Sequence, residues 1–309
     1  MATSSARSAL GDSPPGAAAT DIVSSPMSVH DPAAKLRPLN PQLSTREYLV
    51  QMWGRRDFAL ALPMEELRST HSATFLGNVW HLGNPLLTSA VYYVIFGQIL
   101  GTDRGIDNYI LWLMIGVFGF GLTTRSVLGG ASAISSNQGL MRAVRFPRAL
   151  LPVSIVLSRL LTFGFELLVI VVVAIVTGEG ISQRWLALPL VIGLHTVLNM
   201  GGAFVAARLN DSFRDVQQII PFVFQLGRYI SGVMFPIERF LSDGAAQQGL
   251  AQRVVGLNPL VTMLNLYRWV FLGTPVSLGD LTQLVVISML LLAVGFNFFR
   301  GAEWRYGRN

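Results

Sequence analysis

Hydrophobic and polar positions fall into long blocks along this chain, with little alternation between them. Six apolar blocks approach the ~20 residues that a helix needs to cross a bilayer. They are 85–101, 108–124 continuing past Arg125 to about 130, 149–178, 185–207, 216–237 and 281–299. The third contains Arg159 and Glu166, the fourth is interrupted only by His195, and the fifth contains Arg228. A further stretch, 254–267, contains Pro259 and is followed at once by Arg268. Its length suits a re-entrant or interfacial segment better than a crossing, and non-helical backbone at such depth is tolerated only against protein or a water-filled cavity. Ahead of these blocks the periodicity changes. Ser44-Thr45-Arg46-Glu47 has the form of a capping box, and Tyr48, Leu49, Met52 and Trp53 recur at helical spacing among Arg46, Gln51, Arg55 and Arg56. This predicts an amphipathic helix lying along a membrane surface; a helix packed on a soluble partner is the alternative. Pro63 ends it, and a second short amphipathic stretch runs from 65 to about 80.

The expected fold is thus an all-α membrane protein with six transmembrane helices. A tail, 1–43, rich in Ser, Ala, Gly and Pro, reads as disordered and holds no signal-peptide core. Amphipathic interface helices occupy 44–84, a transmembrane domain 85–300, and a short tail 301–309. Pro152, Pro189 and Pro221 are expected to kink their spans. Gly116, Gly119 and Gly121 on the second span, and Gly201-Gly202 on the fourth, permit close helix packing.

Composition narrows the function. Of 309 residues 51% are hydrophobic and 13% charged, with a mean hydropathy of +0.50. Soluble domains carry about 25% charged residues, so a water-soluble enzyme is a poor fit. There are no cysteines, which removes disulfides, iron–sulfur clusters and thiol chemistry. No zinc spacing, Ser-His-Asp set or paired catalytic carboxylates stand out. Only Lys35 among the 23 basic residues is a lysine. A phosphate-binding G-x-x-x-x-G-K-[ST] loop needs a lysine to reach the nucleotide, and Lys35 lies in no such loop. The chain therefore carries no P-loop site and no cofactor of its own; if ATP and Mg drive its work, a separate polypeptide binds them.

Charge gives an expected orientation. Arg142, Arg145 and Arg148 lie in the second loop, Arg208 and Arg214 in the fourth connection, Arg300, Arg305 and Arg308 in the tail, and Arg46, Arg55, Arg56 and Arg68 before the first span. The first and third loops carry only Arg104 and Arg184. The positive-inside rule then places both termini in the cytoplasm. The long fifth loop, 238–280, would carry Arg239, Arg253 and Arg268 outside.

Glu166, His195 and Arg228 fall near the middle of their spans, where a charge costs several kcal/mol unless paired or wetted. Glu166 is expected to pair with Arg228, with His195 as a polar neighbour. This set reads as a polar wall along a hydrated channel or as an internal salt bridge, with a proton relay as a third option. Arg125 and Arg159, nearer the span ends, are expected to snorkel to headgroups. Tyr109, Trp112 and Trp185 fit an interfacial aromatic belt. Tyr229, next to Arg228, fits a channel wall on which the apolar faces of sugar rings could lie.

Several short motifs carry a family resemblance. Arg56-Asp57-Phe58 is followed by Leu76-Gly77-Asn78-Val79-Trp80 and by Pro85 at the head of the first span. Asn137 and Phe146-Pro147-Arg148 flank the second loop, and Arg214-Asp215 opens the fifth span. Ser231-Gly232-Val233-Met234-Phe235-Pro236 closes that span, and Asn258-Pro259-Leu260 begins the re-entrant segment. In order and placement these resemble ABC-2 type permeases that export polysaccharides, over residues 44–305. The O-antigen and teichoic-acid exporters and the lipid-linked galactan exporters of mycobacteria are the most similar groups, the last favoured by the Arg-for-Lys bias and the extended N-terminus. Extra sequence around Pro63 departs from the pattern.

The resemblance implies a homodimer bound to two copies of a P-loop ATPase, embedded among membrane lipids in a bacterial inner membrane. Its substrate would be a lipid-linked polysaccharide, and no nucleic-acid partner is expected. Loop 131–147 would be the coupling segment: Asn137, Gln138, Leu140, Met141, Arg142, Arg145 and Phe146 would dock on the ATPase, together with Arg56 and Asp57 of the interface helix. A plain basic loop is the alternative. Asn258, Pro259 and Tyr267 would belong to an outer gate. The rival readings are a drug or small-lipid exporter of the same superfamily and, further off, a membrane-embedded glycosyltransferase or other lipid-processing enzyme.

Overall fold

The computed structural model describes residues 44–59, 61, 79–101, 105–236, 255–303 and 305–306. Among them every regular element is helical. The helices are α1 (Thr45–Gly54), α2 (Val79–Tyr92), α3 (Tyr109–Ser136), α4 (Gln138–Ala143), α5 (Leu150–Val176), α6 (Leu188–Ser212), α7 (Val216–Ile230), α8 (Pro259–Leu272) and α9 (Leu278–Arg300). A π-helical stretch, Tyr93–Ile99, continues α2, and a 3-10 turn, Gln183–Ala187, leads into α6.

Four of these elements are long and apolar enough to cross a membrane: Tyr109–Ser136, Leu150–Val176, Gln183–Ser212 and Leu278–Arg300. Their outward faces need lipid. Phe165, Leu168, Val172 and Ile175 on α5, and Val286, Met289, Leu290 and Val294 on α9, are all exposed, an apolar area that water would not tolerate. The other two expected spans have a different form. The first is helical from Val79 but passes into the π-helical stretch at Tyr93, and Pro85 sits inside α2 instead of opening it. The fifth ends at Ile230, after 15 residues.

Local sequence explains several boundaries. The Asn108 side chain accepts from the Leu111 N–H and starts α3. Ser277 starts α9 in the same way, by accepting from Gly279 N. Asn258 caps α8 through Leu260 N, and Pro259 takes the first turn, where its missing N–H costs nothing. The proline that made 254–267 look re-entrant is therefore a helix start, and α8 runs on through Arg268 to Leu272. Gly273 closes it in the left-handed region, φ 72°, where a Cβ would also strike Arg184 Nη1 at 1.8 Å. Pro152 and Pro189 likewise fall in the first turns of α5 and α6. They need no kink there, contrary to expectation, whereas Pro221 does lie inside α7.

The α3 helix occupies the middle of the bundle, against α5 and α6, and α9 packs on the far side of α6. Small residues set these distances. A Cβ on Gly130 would lie 2.6 Å from Ala203 Cβ; one on Gly201 would lie 2.7 Å from the Leu291 and Leu292 backbone; one on Gly295 would lie 2.6 Å from Gly201 O. Such close approach is how apolar helices gain dispersion contacts where lipid removes the hydrophobic drive. Gly116 and Gly119 on α3 serve other neighbours, the Val233 carbonyl and Leu264, each 2.8 Å from a hypothetical Cβ.

Candidate functional site

Two regions collect the residues singled out in the sequence. At one end of the bundle, Asn137 joins α3 to α4. Its carboxamide donates to Ala133 O at 2.9 Å, back into α3. The six residues of α4 bury no side chain. Leu140 and Met141 are half-covered, while Arg142, Val144 and Arg145 are exposed. The segment just after α1 reaches this loop. Arg55 Nη1 donates to Arg145 O at 2.6 Å, and the Phe58 and Phe146 rings lie 4.8 Å apart. Arg56 and Asp57 stay exposed and face each other loosely at 3.9 Å, a contact that contributes little by itself. The expected neighbourhood of loop and interface segment is present, but Arg55 and Phe58 make the contacts. Leu76-Gly77-Asn78 and most of the second amphipathic stretch lie outside the described residues. Leu140, Met141 and Val144 thus form a partly open apolar patch, flanked by Arg142 and Arg145, that no described residue fully covers.

The second region is a polar layer inside the bundle. Glu166 is 0% exposed, and its Oε2 accepts from Arg125 Nη2 at 2.7 Å. The expected partner, Arg228, is elsewhere: it donates to the Tyr92 hydroxyl at 2.8 Å and lies 5.8 Å from the centre of the Phe120 ring. The reason is the order of helices in space. The Arg125 side of α3 faces α5, whereas α7 packs on the Phe120 side of α3, through its own Phe224. Arg125 therefore turns to an acid across a helix seam instead of snorkelling.

His195, 0% exposed, is not a neighbour of Arg228 either. Its Nε2 is 2.7 Å from Thr123 Oγ1 and its Nδ1 3.2 Å from Tyr267 Oη. It ties α3, α6 and α8 together. Tyr267, expected in an outer gate, is turned inward against Phe163 and His195. Glu166, His195 and Tyr267 are thus enclosed braces of one bundle. Of the expected polar wall, Arg228 is half-covered and Tyr229 is 47% exposed, both on α7, a helix that buries none of its own residues.

Two features escaped the sequence reading. Arg268, expected outside, is 4% exposed. Its Nη2 donates to Gly232 O at 2.8 Å, Nη1 donates to Asn265 Oδ1 at 3.1 Å, and its guanidinium lies 3.5 Å from the centre of the Trp112 ring. Gly116 makes room for it, since a Cβ there would come within 3.2 Å of Nη2. Helical spacing from Leu264 to Phe271 would have put Arg268 on the buried stripe. The aromatic belt is also corrected: Tyr109 and Trp112 are buried, and the Tyr109 hydroxyl donates to Met234 O at 2.7 Å. Trp185 packs on Phe271 at 5.2 Å, inside the bundle. Asn258, besides capping α8, donates to Ser231 Oγ at 3.0 Å and so anchors the turn after α7. No cluster of three or more His, Asp or Glu residues able to hold a metal occurs among the described residues.

Apolar helices of this order, with an unburied basic loop between the two longest of them, agree with a family comparison in which residues 60–272 match the ABC-2 type transporter model. The chain belongs to the ABC-2 type transporter family. As an ABC-2 type transporter it is a multi-pass membrane transport protein. Its similar relatives are named for export or transport. The O-antigen export system permease protein RfbA of Myxococcus xanthus is 27% identical over 260 residues, 84% of this chain and 97% of the relative. A protein of the same name from Klebsiella pneumoniae is 24% identical, over 81% of this chain and 93% of its own. The polysialic acid transport protein KpsM of Escherichia coli is 24% identical, over 79% and 92%. The segment matched by the ABC-2 model holds α4, the polar layer and α8, while α1 and α9 lie outside it.

Proposed function

We propose that this chain is the permease of an ATP-driven exporter that carries a lipid-linked polysaccharide, galactan in particular, across a bacterial inner membrane. The observation that carries the reading is the α4 patch, unburied among the described residues, beside Arg55 and Phe58, on a chain whose only lysine rules out a P-loop of its own. A transporter without its own nucleotide site needs a surface through which another subunit pushes. The names of the relatives, O-antigen export and polysialic acid transport, support a polysaccharide as cargo. The Arg-for-Lys bias and the long N-terminal segment favour galactan.

In this reading two copies form the pore and two ATPase subunits, holding ATP and Mg, bind the cytoplasmic face. The α2 and α7 segments complete a six-span plan with both termini inside, and α1 serves as the interface helix. The α7 face that presents Arg228 and Tyr229 would line the sugar path. Purification of the tagged chain should recover a P-loop ATPase, and depletion of the chain should cause lipid-linked polymer to accumulate on the inner leaflet. Recovery without any ATPase, or unchanged polymer export after depletion, would refute the proposal. Accumulation of a small lipid in place of polymer would establish the drug or small-lipid reading.

A further inference from the structure

The backbone just ahead of α5 is held from outside its own sequence. The N–H groups of Leu150 and Leu151 are met locally, by Pro147 O and Arg148 O, whereas those of Arg148 and Ala149 need acceptors from elsewhere. They find them on the tail and on α1. Glu303 Oε1 accepts from Arg148 N at 2.8 Å, and the Tyr48 hydroxyl accepts from Ala149 N at 3.2 Å. That hydroxyl in turn donates to the same Glu303 Oε1 at 2.9 Å. The Arg148 guanidinium donates to the Glu303 carbonyl. A carboxylate here also meets the positive end of the α5 dipole. Burial, then the neighbouring Glu303 charge, push the Tyr48 phenol above its ordinary value, so it remains a neutral donor.

The tie is reinforced from the α9 side. Arg300 lies over the Tyr48 ring at 5.3 Å and donates to Thr45 Oγ1 at 2.5 Å, and Phe296 meets that ring edge-on at 5.9 Å. Three elements far apart in sequence thus converge two residues beyond Phe146, where the α4 loop ends. The contacts are charge-assisted or shielded from water, and they are made by α1 and the tail, neither of which falls in the ABC-2 segment.

We infer that Glu303, with Tyr48, is a positioning residue of energy coupling: it links the far end of the α4 loop to α1 and α9, so that displacement of the loop moves three helices together. This rests on the proposed exporter reading. A loop held only by its own backbone would swing about Pro147 and spend the stroke locally. A loop tied to the start of α5 and the end of α9 passes it into both.

The test uses the whole exporter, chain plus ATPase subunit, in membrane vesicles, and reads polymer exported per ATP hydrolysed. Glu303→Ala removes the shared acceptor and should lower that ratio about tenfold, the loss expected for a charge-assisted hydrogen bond. Tyr48→Phe, which deletes one hydroxyl, should lower it about threefold. Glu303→Gln keeps an acceptor oxygen for both donors and should restore most of the ratio. Chain abundance and recovered ATPase should stay constant across the set. An unchanged ratio in Glu303→Ala and Tyr48→Phe overturns the inference. So does a loss of export that only follows loss of chain from the membrane, in Tyr48→Phe as in Glu303→Ala, because the tie would then merely hold the fold. A wild-type chain that recruits no ATPase and exports no polymer overturns the underlying reading as well, and is seen before any variant is compared.

Discussion

Replacing Arg125 by Gln strands a charge inside the bundle. Glu166 is fully enclosed, with Arg125 Nη2 at 2.7 Å from its Oε2. Removing one member of a buried pair costs about 3–5 kcal/mol, because the remaining charge is left without compensation. The Arg125 side chain is 32% exposed. Solvent therefore screens part of the attraction, and about 3 kcal/mol is expected for Arg125→Gln. Glu166→Gln should cost less, about 1 kcal/mol, since the freed guanidinium is long enough to reach toward headgroups. The double variant loses both charges and should be more stable than Arg125→Gln alone, a departure from additivity of about 1–2 kcal/mol. The assay is the midpoint of heat-induced loss of monodisperse protein in one detergent, where 3 kcal/mol corresponds to roughly 6–12 °C for a chain of this class. Arg228→Gln, combined with Glu166→Gln, should show no coupling. Additive Arg125 and Glu166 effects, together with coupling between Arg228 and Glu166, would refute the packing and restore the pairing expected from span positions.

Other outcomes follow from the same packing. Gly130→Val drives a side chain into the Ala203 Cα and Cβ, which cannot yield, and should destabilise by about 1–3 kcal/mol in the same heating assay. Arg268→Met leaves Gly232 O and the Trp112 face without their cation and should cost about 2 kcal/mol, with Trp112→Ala shifting the midpoint in the same direction. Leu140→Asp with Met141→Asp should reduce co-purified ATPase about tenfold while the heating midpoint stays put, since no α4 residue is buried among the described residues. His195→Phe leaves the Thr123 and Tyr267 hydroxyls without the ring nitrogens and should lower the midpoint by the equivalent of about 1–3 kcal/mol.

Long apolar runs are legible because they are local properties, whereas the caps Asn108, Ser277 and Asn258 are not singled out as caps in the sequence. The expected spans overlap α3, α5, α6 and α9 to within about six residues at each end, the largest miss being the loop expected from 131, which begins only after Ser136. The Asn258-Pro259 pair reads in sequence as the beginning of a re-entrant segment, although N-cap followed by proline is a helix start. What stayed hidden depends on which helix faces meet. Each residue turns about 100° around its helix, and spatial order differs from chain order, so depth alone could not tell Arg125 from Arg228 as the partner of Glu166. Arg268 misled for a related reason: its charge suggested solvent, while the glycine that houses it lies far away in sequence on α3. The tie of Tyr48, Arg148 and Glu303 joins positions more than a hundred residues apart, a distance no periodicity spans.

The crossing of Gly201 and Gly295 has a mechanical consequence. With backbone lying on backbone there, no rotamer change can take up a shift. Sliding α6 by one residue along α9 in one direction would bring Met200 into a slot cut for a hydrogen atom. The two helices therefore travel as one stiff plank. Any widening of the bundle must open where long side chains fill the gap, as between Tyr92 and Arg228, where a hydrogen bond can part and re-form without breaching the wall.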